Sequence, residues 1–155
     1  MNKSKKQSSA GMIDVGAKQI TRRFAAASAV VNFSPQAFQQ LLEKGSTKGD
    51  VFETAKTAGI MAAKSTPFII PLCHPLPLTQ ANVRFLTDEK KSRVIVTAEI
   101  RCRGKTGVEM EALTAAAVSA LTIYDMMKWC DPAIVISDLQ LLKKSGGKSG
   151  DFERE

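Results

Sequence analysis

Histidine, tryptophan and tyrosine each occur once in this 155-residue chain. Seven phenylalanines complete the aromatic set. That is little for a stacking platform, and the aromatic-rich strand string of common RNA-binding modules is absent, which argues against nucleic acid as the partner. Cys73, Cys102 and Cys130 are odd in number, widely spaced and free of any Cys-x-x-Cys pair. This pattern excludes a disulfide framework and a zinc site built on paired cysteines, and points to reduced thiols. No apolar run approaches the roughly 20 residues that would cross a bilayer, so no membrane span is expected.

What is present is an ordinary amount of apolar sequence, 44% of residues, and an excess of positive charge, with 22 Lys and Arg against 15 Asp and Glu. At this length one domain can bury a self-sufficient core. The net charge of +7 favours anionic partners, but Lys3, Lys5 and Lys6 fall in "MNKSKKQSSAG". This stretch leads into no apolar segment and is expected to be a disordered basic tail over residues 1–11 of a cytoplasmic protein.

The periodicities predict an α+β domain. "ITRRFAAASAVVNF", 20–33, suits a strand, although its alanines also suit a helix. Ser34 and Pro35 open a short helix that Gly45 stops. Asp50 and Glu53 have capping-box spacing, and Val51, Ala55, Ala58 and Ala62 recur at helical intervals up to Lys64. "ANVRFLT" and "RVIVTAEIRC" read as a hairpin joined by "DEKKS", with Val94, Val96, Ala98, Ile100 and Cys102 on one face. A long helix is expected from Glu109 to Trp129, its core stripe being Leu113, Ala117, Ala120, Tyr124 and Met127. "AIVISDLQLL" gives a last strand, and "KKSGGKSGDFERE" carries no packing pattern, so that 153–155 in particular reads as a flexible tail. The order matches the ferredoxin-like βαββαβ arrangement, an antiparallel sheet packed against helices, with an extra helix in the first crossover.

Several strings can carry chemistry, and each also has a plain structural reading. "GKTG" at 104–107 and "GKSG" at 147–150 end like phosphate loops, but Glu99 and Leu142 stand where the first glycine of that motif belongs. Their backbone N–H groups beside Lys105 and Lys148 either grip an anion or form ordinary loops. Glu109 and Glu111 open the long helix, where carboxylates stabilise the helix dipole or meet a ligand. Asp125 and Lys128, three apart, make a surface ion pair or a functional one.

His74 sits in "LCHPLPLT" among Pro71, Pro75 and Pro77. In an extended chain it would point away from Cys73, which disfavours a nucleophile and base pair and leaves structural and functional readings open. A second stripe, Glu111, Thr114, Val118, Leu121, Asp125 and Lys128, runs along the long helix with charge at both ends. A continuous helix would separate Glu111 from Asp125 by about 21 Å, too far for one small ligand, so a site using both is expected to be shared between subunits of an oligomer.

Taken together, "MIDVGAK", "TRRFAAASAVV", "KGDV", "AGIMAAK", "IPLCHPLPLT", "AEIRCRGKTGVEMEALTAA", "LTIYDMMK" and "GGKSGDF" resemble the cyclic pyranopterin monophosphate synthase (MoaC) family over Met12 to Phe152, and 12–152 is expected to be that single domain. The resemblance implies a lyase of molybdenum cofactor biosynthesis. It converts the GTP-derived 3′,8-cyclo-7,8-dihydro-GTP to cyclic pyranopterin monophosphate and diphosphate, without a cofactor or metal. It also implies a homohexamer, a trimer of dimers, with sites at subunit interfaces.

Carried over by motif, Asp125, Lys128 and Lys48 take catalytic positions. Leu72, Cys73, His74, Met110 and Glu111 take substrate-binding ones, and Arg23, Lys64 and Glu109 further line the site. Met127, Trp129 and Cys130 depart mildly from the usual pattern. If Lys48 and Lys128 came from different subunits, mixing Lys48→Ala and Lys128→Ala chains would restore activity. The alternative reading is a non-catalytic nucleotide- or RNA-binding module of the same fold.

Overall fold

A computed structural model describes residues 10–155. Apart from Ala10 and Gly11, which are exposed and without regular structure, the expected disordered tail lies outside the described residues. The elements are β1 (Thr21–Asn32), α1 (Pro35–Glu43), α2 (Val51–Ile69), β2 (Leu78–Asp88), a 3-10 turn (Glu89–Lys91), β3 (Arg93–Gly104), α3 (Glu109–Met127), β4 (Val135–Ser145) and β5 (Phe152–Glu153). The sheet order is β2-β3-β1-β4-β5 and every pairing is antiparallel. This is the expected ferredoxin-like α+β arrangement, with α1 and α2 together in the first crossover.

The helix-or-strand ambiguity at 20–33 resolves as a strand because β1 is central, hydrogen-bonded to β3 on one side and β4 on the other. Its residues from Ala25 to Val31 are all buried, which small side chains permit where both flanks are occupied. On β3 the face from Val94 to Cys102 is buried as expected. Helix α1 starts where Ser34 Oγ accepts from the Ala37 N–H at 3.3 Å. Helix α2 starts where Asp50 accepts from the Glu53 N–H at 2.9 Å.

Three expectations about the helices are corrected. Helix α2 does not end at Lys64 but continues through Pro67 to Ile69. A proline so near the end forfeits a single ladder bond, and Thr66 Oγ1, buried, donates to the Ala62 carbonyl beside it. The core stripe of α3 is rotated from the predicted one: Ala112, Ala116, Ala120, Ile123 and Met127 are fully buried, whereas Leu113, Ala117 and Tyr124 are half-buried. The helix also ends at Met127, two residues before Trp129.

The charged "tail" is a hairpin. Its residues Lys143 and Lys144 belong to β4 and pair with Glu153 and Phe152 of β5. Gly146 is what closes it, with φ +87° and so little room that a Cβ there would lie 1.8 Å from the Arg22 carbonyl oxygen. Sequence periodicity misses this because a two-residue strand has no period to detect.

Helices α2 and α3 pack closely enough that Ser119 Oγ donates to the Ala55 carbonyl at 2.9 Å. A Cβ on Gly59 would sit 2.1 Å from Ser119 Oγ. This close approach aligns α3 along the sheet and determines which groups reach each of its ends.

Candidate functional site

At the N-terminal end of α3, the start of β1, the end of β4 and the two glycine loops converge on a cavity of about 430 Å³. Five cations line it, Lys18, Arg23, Lys105, Lys144 and Lys148, against one carboxylate, Glu109. The anion-grip reading of "GKTG" and "GKSG" is thereby favoured over that of ordinary loops, since both loops face one concave surface. The Arg23 guanidinium is fixed by donating to the carbonyls of Gly104 at 3.3 Å and Lys105 at 3.2 Å. Lys144 Nζ lies 3.2 Å from Glu109 Oε1. Such a dense, predominantly cationic lining suits a polyphosphate.

A second cavity, of about 390 Å³, adjoins the first and shares Lys18, Thr106, Gly107 and Glu109 with it. Leu72, Cys73, His74, Met110 and Glu111 form much of its wall, so the structure brings this expected group together. Cys73 and His74 were expected on opposite faces of an extended chain, yet both line this cavity. A turn at Pro71 and Leu72 precedes them, with the Cys73 N–H donating to the Ile70 carbonyl at 3.2 Å. His74 Nε2 lies 2.8 Å from the Ile13 carbonyl oxygen and is therefore its donor.

Glu111 is 3% exposed and has no salt-bridge partner among the described residues. Burial pushes its carboxyl above the usual range, and the nearby Glu109 charge adds to the effect. Burial, and secondarily Glu111, also raises the Cys73 thiol. The Cys73 side chain is therefore a neutral wall rather than a thiolate. A buried carboxyl facing such a cavity is suited to the polar edge of a nitrogen heterocycle.

At the other end of α3 stands a second cluster. Asp125 receives Lys48 Nζ on Oδ2 at 2.7 Å and Lys128 Nζ on Oδ1 at 2.8 Å. Lys48 also donates to the Asp125 carbonyl at 3.4 Å. Its loop can reach because Gly45 and Gly49 take left-handed backbone, at φ +64° and +117°. The hydrogen bonds from Lys128 and then Lys48 hold the Asp125 carboxyl down to about 2, and Asp125 in turn raises Lys128. All three side chains are about half exposed. This is more than a helix-surface pair: the lysine of a distant loop shares the same carboxylate.

One chain does not unite the two groups. Helix α3 is continuous from Glu109 to Met127, so the cavities and the Lys48–Asp125–Lys128 cluster occupy its opposite ends. Nor does Lys64 join either group; it is an exposed residue of α2 and lines neither cavity. Lys48 and Lys128 meet on Asp125 within one chain, so the arrangement gives no support to sharing across that pair. Lys18 and Lys144 are cavity residues that sequence reasoning missed. The signal for Lys144 was its place two residues before the glycine loop, and for Lys18 its place in "MIDVGAK".

The model of the MoaC family matches residues 12–147. A protein of Pelotomaculum thermopropionicum named cyclic pyranopterin monophosphate synthase is 53% identical over 146 residues, 94% of this chain and 86% of that protein. Proteins of the same name from Magnetococcus marinus and Staphylococcus epidermidis are 51% and 50% identical, over 93% and 97% of this chain and 88% and 94% of their own lengths.

Proposed function

The chain belongs to the MoaC family and is an enzyme of molybdenum cofactor biosynthesis, and we propose that it converts 3′,8-cyclo-7,8-dihydro-GTP to cyclic pyranopterin monophosphate and diphosphate. The observation that carries this reading is the Asp125 carboxylate gripping two lysines, Lys48 and Lys128, from separate elements. Rebuilding a purine-derived ring demands several proton transfers, and a lysine pair fixed on one carboxylate supplies positioned donors and acceptors. Lys128, its pKa raised by Asp125, is the general acid in this arrangement. Lys48 shares the carboxylate and is the partner through which protons return.

The two cavities divide the nucleotide between them. Glu111, Met110 and the Leu72–His74 turn face the base-derived ring, and the cationic cavity holds the triphosphate. Closing the cyclic phosphate forms one bond from a sugar oxygen to the α-phosphorus and breaks the bond to the β-phosphate oxygen. Diphosphate leaves, its charge stabilised by Arg23 and the neighbouring lysines. A non-catalytic nucleotide- or RNA-binding module would leave the Asp125 cluster without a role.

Because α3 separates the halves, the working site takes its cavities from one subunit and its Asp125 cluster from another. Met61, Phe68 and Ile69 of α2 and Leu121 of α3 are exposed apolar side chains, Phe68 at 89%, as expected of a chain that buries them against a second copy. The assembly in this reading is a hexamer, a trimer of dimers, of a cytoplasmic protein, and Lys64 enters the site only there. The direct test is diphosphate release from purified 3′,8-cyclo-7,8-dihydro-GTP by the purified protein. Binding without release would refute catalysis.

A further inference from the structure

The segment from Gly11 to Lys18 has no regular secondary structure, yet it lies along the second cavity. Apolar burial does not hold it there. Met12 is 53% and Ile13 74% exposed, and only Val15 is half-buried. Two side chains of the site hold it instead. His74 Nε2 donates to the Ile13 carbonyl at 2.8 Å, and Lys105 Nζ donates to the Gly16 carbonyl at 2.6 Å.

The segment is locally shaped to present those carbonyls. Asp14 Oδ1 accepts from the Gly16 N–H at 2.7 Å, and the Lys18 N–H donates to the Val15 carbonyl at 3.0 Å. The resulting turn sets Lys18 at the junction of the two cavities, where it lines both.

Resting on the functional reading above, we propose that residues 11–18 are a strap forming one wall of the substrate site, that Lys105 is the positioning residue that fastens it, and that the strap delivers Lys18 to the substrate's phosphates. A nucleotide spanning both cavities would pass directly beneath Lys18. Ordering the strap over the bound nucleotide excludes water from the phosphates and adds a cation that the folded core alone does not supply. The anchor is polar and thin, so the strap opens without disturbing the core and recloses on the ligand.

The test compares Lys18→Ala, Lys105→Met and the double variant with the native protein in steady-state diphosphate release, using Lys56→Ala as a charge control. Lys56 lies outside both cavities, paired with Glu53 on α2. Lys18→Ala is expected to raise KM about tenfold, the scale of one lost charge-assisted hydrogen bond, with kcat and melting temperature nearly unchanged. Lys105→Met should raise KM as well, and Lys18→Ala should add little in that background because the strap is already loose.

An unchanged KM in Lys18→Ala, an effect matched by Lys56→Ala, or full additivity in the double variant would overturn the assignment. So would a lower KM in Lys105→Met, which would make the strap an obstruction. A second measurement needs no turnover: amide exchange of residues 12–18 should slow when inorganic diphosphate is added to the native protein. Absence of native turnover would refute the functional reading, and the exchange measurement would still decide the strap; unaltered exchange at saturating diphosphate overturns it.

Discussion

Glu111 and Asp125 lie on the same unbroken helix, α3, about 21 Å apart along its axis. Glu111 is buried at the cavity wall near the helix start, and Asp125 is half exposed near its end, gripping Lys48 and Lys128. No rearrangement of side chains closes that gap. A site that uses both, as proposed, therefore needs a second subunit.

Asp125→Asn should lower activity by about two orders of magnitude or more, the scale of a lost acid–base contribution. The alkaline limb of its pH–rate profile should also move. In the native protein Asp125 raises Lys128, so the protonated acid survives to higher pH. Without the carboxylate the Lys128 pKa falls and the limb shifts to lower pH. An alkaline limb that stays in place while activity drops would separate Lys128 from the proton transfer.

Glu111→Gln should lose substrate affinity while keeping or gaining stability, by up to about 1 kcal/mol, because it removes a carboxyl that burial disfavours when charged. The sign with pH follows from the raised pKa. The stability tied to the Glu111 proton is present below the group's ordinary value of 4.5 and is lost as pH rises through the higher folded value. The variant's advantage in melting temperature should therefore be larger at pH 7 than at pH 4. An equal difference at both values would mean that the burial of charge is not what Gln relieves.

Gly59→Ala should destabilise the protein by about 1–3 kcal/mol, the usual range for overpacking a close-packed core. The added carbon would meet Ser119 Oγ at 2.1 Å and the Ala115 carbonyl at 3.0 Å. Thermal unfolding reads it directly. A native-like melting temperature would show that α2 and α3 separate easily, and with them the alignment of α3.

Gly146→Ala should weaken inhibition by diphosphate about tenfold or more through collapse of the hairpin that carries Lys144 and Lys148 to the cationic cavity. Isothermal titration with diphosphate checks it. Unaltered affinity would mean the loop contributes nothing to the anion.

Most of the scaffold was legible because its signals are local. Ser34, Asp50 and the alternation from Val94 to Cys102 each announce an element through its own hydrogen bonds or its own face. The rotated stripe on α3 was not legible. Alanine is at home on both the sheet-facing and α2-facing sides of a helix, so a run such as Ala115, Ala116 and Ala117 gives little contrast between faces. The site was legible only in pieces. Asp125 and Lys128 are neighbours in sequence, but Lys48 joins them through a loop 77 residues away, and Lys144 meets Glu109 only through the pairing of β4 with β1. Contacts of this kind have no periodicity to betray them.

The central claim, a site assembled from the cavities of one subunit and the Asp125 cluster of another, is tested most directly by mixing Glu111→Ala and Lys128→Ala chains. Each variant alone should be folded, oligomeric and inactive in diphosphate release. After co-refolding into verified mixed oligomers, roughly a quarter of the sites should combine two unaltered halves, and activity should return to about that fraction of the native level. Mixed oligomers as inactive as either parent would contradict the shared site.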